Sequence, residues 1–273
     1  MARRARVDAE LVRRGLARSR EHAVELISAG RVLIAGTVAV KPATAVETGT
    51  PLIVREEPDE VSWASRGAHK LLGALEAFEP QGLSVAGKRC LDAGASTGGF
   101  TDVLLSRGAK EVAAVDVGYG QLIWRLQNDD RVQVYDRTNV RNITPEIIGG
   151  TVESVVGDLS FISLGLVLPA LAACAADGAD LLPMVKPQFE VGKERVGSGG
   201  VVRDPALRAE VVGEVAAAAG ALGLRTQGVV ASPLPGPSGN VEYFLWLRKV
   251  GPFDYDAAAV AALVARAVEE GPQ

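Results

Sequence analysis

Cysteine is nearly absent from this chain: Cys90 and Cys174 are the only two in 273 residues. They stand too far apart to form a metal-binding cluster, and Cys90 is expected to pack as a small apolar residue. Histidine is as scarce, with His22 and His69 alone. His69 adjoins Lys70 and on a helix would point elsewhere, which makes it a weak candidate base. The arginine-rich start has no apolar run behind it, which excludes a secretory signal peptide. No apolar stretch is long enough to span a bilayer. A soluble, cytoplasmic protein without a membrane partner is therefore expected. No internal repeat is visible, and the G-x-G-x-x-G spacing of a dinucleotide fingerprint is missing.

What is present is uneven charge and one informative turn. The chain is 48% hydrophobic with a net charge of −4, enough apolar residues for a sizeable core. Residues 1–41 hold nine basic and four acidic side chains, net +5, which leaves −9 for the remainder. A basic head on an acidic body suits a polyanionic partner. The turn is Cys90-Leu91-Asp92-Ala93-Gly94-Ala95-Ser96-Thr97-Gly98-Gly99-Phe100. An apolar strand runs into glycines with a helix expected after them, the way an open α/β sheet offers backbone to a cofactor. Val112–Val115 reads as the next strand, and Asp116 at its end could hold a ribose hydroxyl pair. A loose glycine turn without a pyrophosphate cradle fits S-adenosylmethionine better than a dinucleotide, so a methyltransferase leads over a dehydrogenase.

Residues 1–56 read as a separate small α+β domain. Val7, Leu11 and Val12 recur at helical spacing up to Gly15; Ser19 caps a second helix, Arg20–Ala29, closed by Gly30. Short strands follow at Val32–Ile34, Val38–Val40 and Leu52–Val54. Residues 57–64 read as a linker, with Glu56-Glu57-Pro58-Asp59-Glu60 at its start and Trp63 as an interdomain packing residue. Residues 65–273 alternate helix and strand. Helices are expected at His69–Phe78, Thr101–Arg107 and Pro205–Leu222. Later strands are expected at Val132–Tyr135, Thr151–Val156, Asp180–Val185, Arg225–Ala231 and Glu242–Arg248. That is a doubly wound, Rossmann-like sheet of seven strands, the last two an antiparallel pair, matching the class I methyltransferase architecture.

Four side chains fall where ligands of open sheets bind. Lys70 begins the helix before the glycine turn, Asp158 ends the fourth strand, Lys186 ends the fifth, and Glu242 begins the last. If that last strand runs antiparallel, Glu242 enters from the same edge. Taken singly, each is most often a solvated charge; the joint placement argues otherwise. Methylating a sugar hydroxyl needs in-line alignment and removal of a proton. Lys186 is the expected base, its pKa depressed by burial and by Lys70, with Asp158 and Glu242 orienting the amines and the ribose. Gly94, Ser96 and Gly98 are expected at the cofactor's amino-acid end, with Asp92, Thr97, Gly99 and Phe100 completing the turn. Asp116 is assigned to its ribose, and Asp136 or Asn139 to its adenine. Phe161 flanks cofactor or target base, or packs on the next helix. The loops Pro187–Lys193 and Ser232–Asn240 are candidate lids.

Two resemblances sharpen this. The string Val7-Asp8, Leu11-Val12, Arg14-Gly15-Leu16, Ser19-Arg20, Ala23, Leu26-Ile27, Gly30 and Val32, with Gly36 and Lys41-Pro42, closely resembles the small RNA-binding domain of ribosomal protein S-four. That module also occurs on pseudouridine synthases and tyrosyl-tRNA synthetases, and it implies binding to structured RNA. The Lys-Asp-Lys-Glu order resembles the tetrad of FtsJ-type RNA 2′-O-ribose methyltransferases. With Ser65-Arg66-Gly67-Ala68-His69-Lys70-Leu71, Asp116–Leu122, Asp158–Ser163, Val185–Glu190 and Ser238–Glu242, the whole chain resembles the TlyA family of ribosomal RNA (cytidine-2′-O)-methyltransferases, some members of which are named haemolysins. The resemblance implies S-adenosylmethionine as cofactor and cytidines of 16S and 23S ribosomal RNA, on the 30S and 50S ribosomal subunits, as substrate. It also implies an effect on capreomycin and viomycin susceptibility, and DNA is not an expected partner. Arg3, Arg4, Arg6, Arg14, Arg18, Arg20, Lys41, Arg66 and Lys193 are the expected RNA contacts. The linker Val61-Ser62-Trp63-Ala64 departs from the mycobacterial Arg-Ala-Trp-Val. The competing readings are a non-catalytic ribosome assembly factor, a membrane-active haemolysin and, more weakly, a pseudouridine synthase.

Overall fold

A computed structural model describes residues 4–55, 62–192 and 194–272. Arg3, the linker run Glu56-Glu57-Pro58-Asp59-Glu60, Val61 and Lys193, each singled out above, lie outside the described residues. The chain divides into two compact units, Met1–Ser62 and Trp63–Gln273.

The first unit contains strand β1 (Arg4–Arg6), helices α1 (Val7–Arg13) and α2 (Arg20–Ser28), and strands β2 (Val32–Ile34), β3 (Thr37–Val38), β4 (Ala45–Glu47) and β5 (Leu52–Val54). Ser19 Oγ accepts the His22 amide, the N-cap expected for α2 and worth about 1 kcal/mol. Gly30 turns the chain out at φ +69°, a conformation costly for any residue with a Cβ. Val7, Leu11, Ala23, Leu26, Ile27, Val32 and Val46 form its core. The antiparallel pair of β1 with β4 was not expected, because a three-residue Arg-Ala-Arg strand carries almost no apolar alternation. Two carboxylates on α1 are buried under arginines. Asp8 takes Arg6 at 2.8 Å and Arg20 at 3.3 Å, and Glu10 takes Arg13 at 2.6 Å and Arg14 at 2.7 Å. Hydrogen bonding to Arg6 first, then to Ala9 N–H and Arg20, holds Asp8 down to about 2.

The second unit is a seven-stranded sheet between helices. In chain order its elements are α3 (Ala68–Phe78), β6 (Arg89–Ala93), α4 (Gly99–Ser106), β7 (Glu111–Val115), α5 (Trp124–Gln127), β8 (Val132–Tyr135), β9 (Val152–Gly157) and α6 (Leu168–Cys174). There follow β10 (Ala175–Val185), α7 (Pro187–Glu190), α8 (Pro205–Ala221), β11 (Leu224–Ala231), β12 (Tyr243–Lys249) and α9 (Ala257–Glu270). The strand order is β11-β12-β10-β9-β6-β7-β8, with β12 antiparallel to both neighbours. The period of two along each strand explains the layers. On β6, Leu91 and Ala93 face one core with α6, α8 and α9, while Cys90 faces the other with α3, α4 and α5. On β12, Tyr243, Leu245 and Leu247 join the first core and Phe244 and Trp246 the second.

Two strand boundaries of the second unit and one added helix differ from the expectation. Strand β10 starts at Ala175, with a register shift before Asp180 that lets Gly178 turn at φ +79°. Glu242 precedes its strand. Helix α9, capped by Asp256 accepting the Ala259 amide, closes the first core with Val260, Val264, Ala267 and Val268. Trp63 is half-buried and packs against the second core of its own unit.

Candidate active site

Strand register assembles the rim. Val185 pairs with Tyr243, so the next residues outward, Lys186 and Glu242, stand opposite each other where β10 and β12 meet. Gly157 pairs with Ala93, which sets Asp158 beside Gly94 one strand further on. Asp116 then follows β7 and Asp136 follows β8, beyond the Val115–Tyr135 pair. Along the carboxyl edge the order is therefore Glu242, Lys186, Asp158, Gly94, Asp116, Asp136.

The four expected catalytic side chains form two ion pairs. Lys70, from the first turn of α3, places Nζ 2.5 Å from Glu242 Oε2. Lys186 places Nζ 2.6 Å from Asp158 Oδ1 and donates to Ser160 Oγ at 2.8 Å. Both lysines and Glu242 are buried, and Glu242 Oε1 has no hydrogen-bond partner. Ser160 was missed by sequence reasoning, although its signal was there: it lies two residues after Asp158, on the same side of an extended chain.

The glycine turn is a tight cradle. A Cβ on Gly94 would lie 2.9 Å from the Asp158 carbonyl oxygen, and Gly94 sits at φ +89°. A Cβ on Gly98, at φ +101°, would run into Leu126 and Leu122. Ser96 holds φ +47° and donates its amide to Asp116 Oδ2 at 2.8 Å, while Gly118 donates to Oδ1 at 2.7 Å. Each carboxylate oxygen keeps a lone pair for a hydroxyl, so the turn fits an adenosine-bearing donor. Ser96 is exposed and Thr97 and Asp116 half-buried. Asp136 accepts the Gly120 amide at 2.9 Å and stands next along the rim.

Other expected residues face elsewhere. Asp92 is fully buried and accepts from Thr101 Oγ1 at 2.7 Å; burial pushes its carboxyl up to about 7, so it supports the turn from beneath. Phe100 is a core ring 6.0 Å from Phe244, and Gly99 lies against Ser65 Oγ and the Ala68 amide. Asn139 uses its side chain to cap the following turn at the Arg141 amide. Phe161 is 91% exposed at φ +63°, with its ring 5.2 Å from that of Phe189 on α7. Of the expected RNA contacts, Arg14 is turned inward onto Glu10 and the carbonyls of Thr48 and Thr50, both at 2.7 Å. Arg4, Arg6, Arg18, Arg20, Lys41 and Arg66 are exposed.

Comparison with known proteins agrees with this geometry. Residues 63–249 match the FtsJ-like methyltransferase model and residues 5–52 the S4 domain model. A Mycobacterium tuberculosis protein named 16S/23S rRNA (cytidine-2′-O)-methyltransferase TlyA is 65% identical over 100% of both chains. This chain belongs to the TlyA family of FtsJ-like methyltransferases. Bacillus subtilis YqxC, 42% identical, aligns with 98% of this TlyA-family chain and 94% of its own length. A solved structure of a hemolysin candidate from Streptococcus thermophilus superposes with a TM-score of 0.74 at 39% identity, covering 99% of this chain and 98% of its own. Among the described residues no helix is long and apolar enough to cross a membrane.

Proposed function

We propose that this chain transfers a methyl group from S-adenosylmethionine to the ribose 2′-oxygen of cytidines in ribosomal RNA. The observation that carries the reading is the rim itself: Glu242, Lys186, Asp158 and the glycine cradle stand on adjacent strands, with Lys70 locked to Glu242. The bound donor supplies an electrophilic methyl group on a sulfonium. Gly94, Ser96, Thr97 and Gly98 hold its amino-acid end and Asp116 its ribose hydroxyls, with Asp136 on the adenine side.

The protein's own groups do the rest. Lys186 stands to take the 2′-hydroxyl proton as that oxygen displaces the methyl group from the sulfonium, whose S–C bond would break to leave a neutral thioether. Asp158 at 2.6 Å and Ser160 at 2.8 Å fix the direction of the amine. Lys70 and Glu242 wall the other side and orient the sugar. Phe161, exposed beside Phe189, offers a face on which an extruded base can stack. Arg4, Arg6, Arg18, Arg20 and Lys41 supply phosphate contacts from the first unit, and Arg66 from the second. The 30S and 50S subunits are the proposed partners, with a cytoplasmic location, and loss of the activity is expected to lower susceptibility to capreomycin and viomycin.

The test is methyl transfer from labelled donor onto each unmodified ribosomal subunit, with the product mapped as an alkali-resistant phosphodiester. Lys186→Ala should lower turnover by about 10²–10⁴-fold, with RNA binding and the heat of donor binding retained. Full turnover in that variant would refute the assignment. RNA binding without any transfer by the wild type would favour an assembly factor.

A further inference from the structure

Two segments leave neighbouring parallel strands at the rim: 158–164 from β9 and 186–190 from β10. Loops on adjacent strands usually move independently, yet these are tied by three successive contacts. Lys186 reaches Asp158 and Ser160. The Phe161 and Phe189 rings meet at 5.2 Å. Glu190 then accepts from Ser163 Oγ at 2.6 Å through Oε2 and from the Leu164 amide at 2.8 Å through Oε1.

The third contact has mechanical leverage over the first. Helix α7 is a single turn, with Lys186 as its N-cap, Pro187 at its start and Glu190 as its last residue. The Phe189 amide donates to Lys186 O at 2.9 Å, which ties the turn that ends in Glu190 back to Lys186. On the other segment Phe161 is held at φ +63°, in a left-handed conformation costing roughly 1–2 kcal/mol for a residue with a side chain. Such a conformation persists only where its surroundings over-determine it, and here the Lys186 and Glu190 contacts flank it on both sides.

We propose that Glu190 is a positioning residue for methyl transfer, clamping the 158–164 segment to the single turn that carries Lys186. The inference rests on Lys186 as the proton acceptor. Glu190 touches no reacting atom. It sets the angle at which the Lys186 amine and Asp158 meet the ribose, and it holds Phe161 against Phe189. Productive alignment is sensitive to displacements of about 1 Å, which can change rates by about a hundredfold.

The experiment uses the full chain, unmodified ribosomal subunits and saturating S-adenosylmethionine. Glu190→Ala should lower kcat by roughly 10–100-fold, with KM for the subunit, the donor Kd and the unfolding midpoint of the body unchanged. Glu190→Gln can accept from the Leu164 amide and donate to Ser163 Oγ, so its kcat should stay within about threefold of wild type. Ser163→Ala deletes the bond to Glu190 together with the bond accepted from the Gly165 amide at 3.2 Å, and no charge, and should give a several-fold kcat loss at constant KM; it carries the test if Glu190→Ala does not fold. Normal kcat in both Glu190→Ala and Ser163→Ala overturns the proposal, as does a loss that tracks weaker donor binding. Lys186→Ala is measured alongside: if it is inactive while Glu190→Ala turns over normally, only the clamp fails. If Lys186→Ala is active, both fail.

Discussion

Removing the Lys70 ammonium separates what the buried pair does for the fold from what it does for the reaction. Its Nζ lies 2.5 Å from Glu242 Oε2, and Glu242 is fully buried with Oε1 lacking a hydrogen-bond partner. The backbone of Gly236 passes so close that a Cβ there would lie 2.5 Å from Oε1. Lys70→Met therefore strands a carboxylate that neither another donor nor a rearranged neighbour readily serves. Breaking such a pair from one side costs about 3–5 kcal/mol, a large part of a typical 5–15 kcal/mol stability. With a urea m-value of about 2 kcal/mol/M, the midpoint should fall by roughly 1.5–2.5 M. Tryptophan fluorescence reads the right unit, since Trp63, Trp124 and Trp246 all lie in the body. Adding Glu242→Met removes the orphaned charge, and the double variant should return to within about 1 kcal/mol of wild type. Methyl transfer should be lost in the single and in the double variant. A single variant as stable as wild type would refute the energetics, and recovery of transfer in the double variant would show the pair to be scaffolding.

The fold was legible because both faces of the body's sheet are covered, so its strands read as short apolar runs separated by glycine turns. The rim was legible for a related reason. Residues at strand ends share an edge whatever the loops do, so Asp158, Lys186 and Asp116 could be placed without knowing a single contact. Direction was less accessible. Asp92 and Phe100 sit in the same turn as Gly94 and Ser96, but their side chains go beneath it, which only the strand pleat and the helix start decide. Arg14 looks like its neighbours in a basic run, and its commitment to Glu10 and two carbonyls depends on a loop 34–36 residues away. Helix α9 did leave a trace in the Asp256 cap and the spacing of Val260, Val264 and Val268. The Glu190 clamp left none, because it joins one side chain to a hydroxyl 27 residues away and a backbone amide 26 residues away, on segments that leave different strands.

Gly94→Ala should weaken donor binding by at least about tenfold in calorimetry, because its Cβ would press on a backbone oxygen at 2.9 Å from a left-handed position costing about 1–2 kcal/mol; unchanged binding would remove Gly94 from the cradle. Arg4→Ala and Lys41→Ala together should weaken subunit binding and flatten its dependence on log salt by about two phosphate contacts, whereas Arg14→Ala should destabilise the first unit and leave that slope unchanged. Asp92 gives a signed pH effect. Burial raises its carboxyl from 3.8 to about 7, so the folded state favours the protonated form. Its contribution is fully present below about pH 4 and is lost as pH rises through 7, a change of about 4 kcal/mol at 1.36 kcal/mol per unit. Asp92→Asn is neutral at every pH and should remove that decline. Urea midpoints of the two proteins should therefore diverge between about pH 4 and pH 7, the wild type falling relative to the variant. Parallel curves would mean that the Asp92 carboxyl is ionised in the folded protein, with a compensating donor at Oδ1.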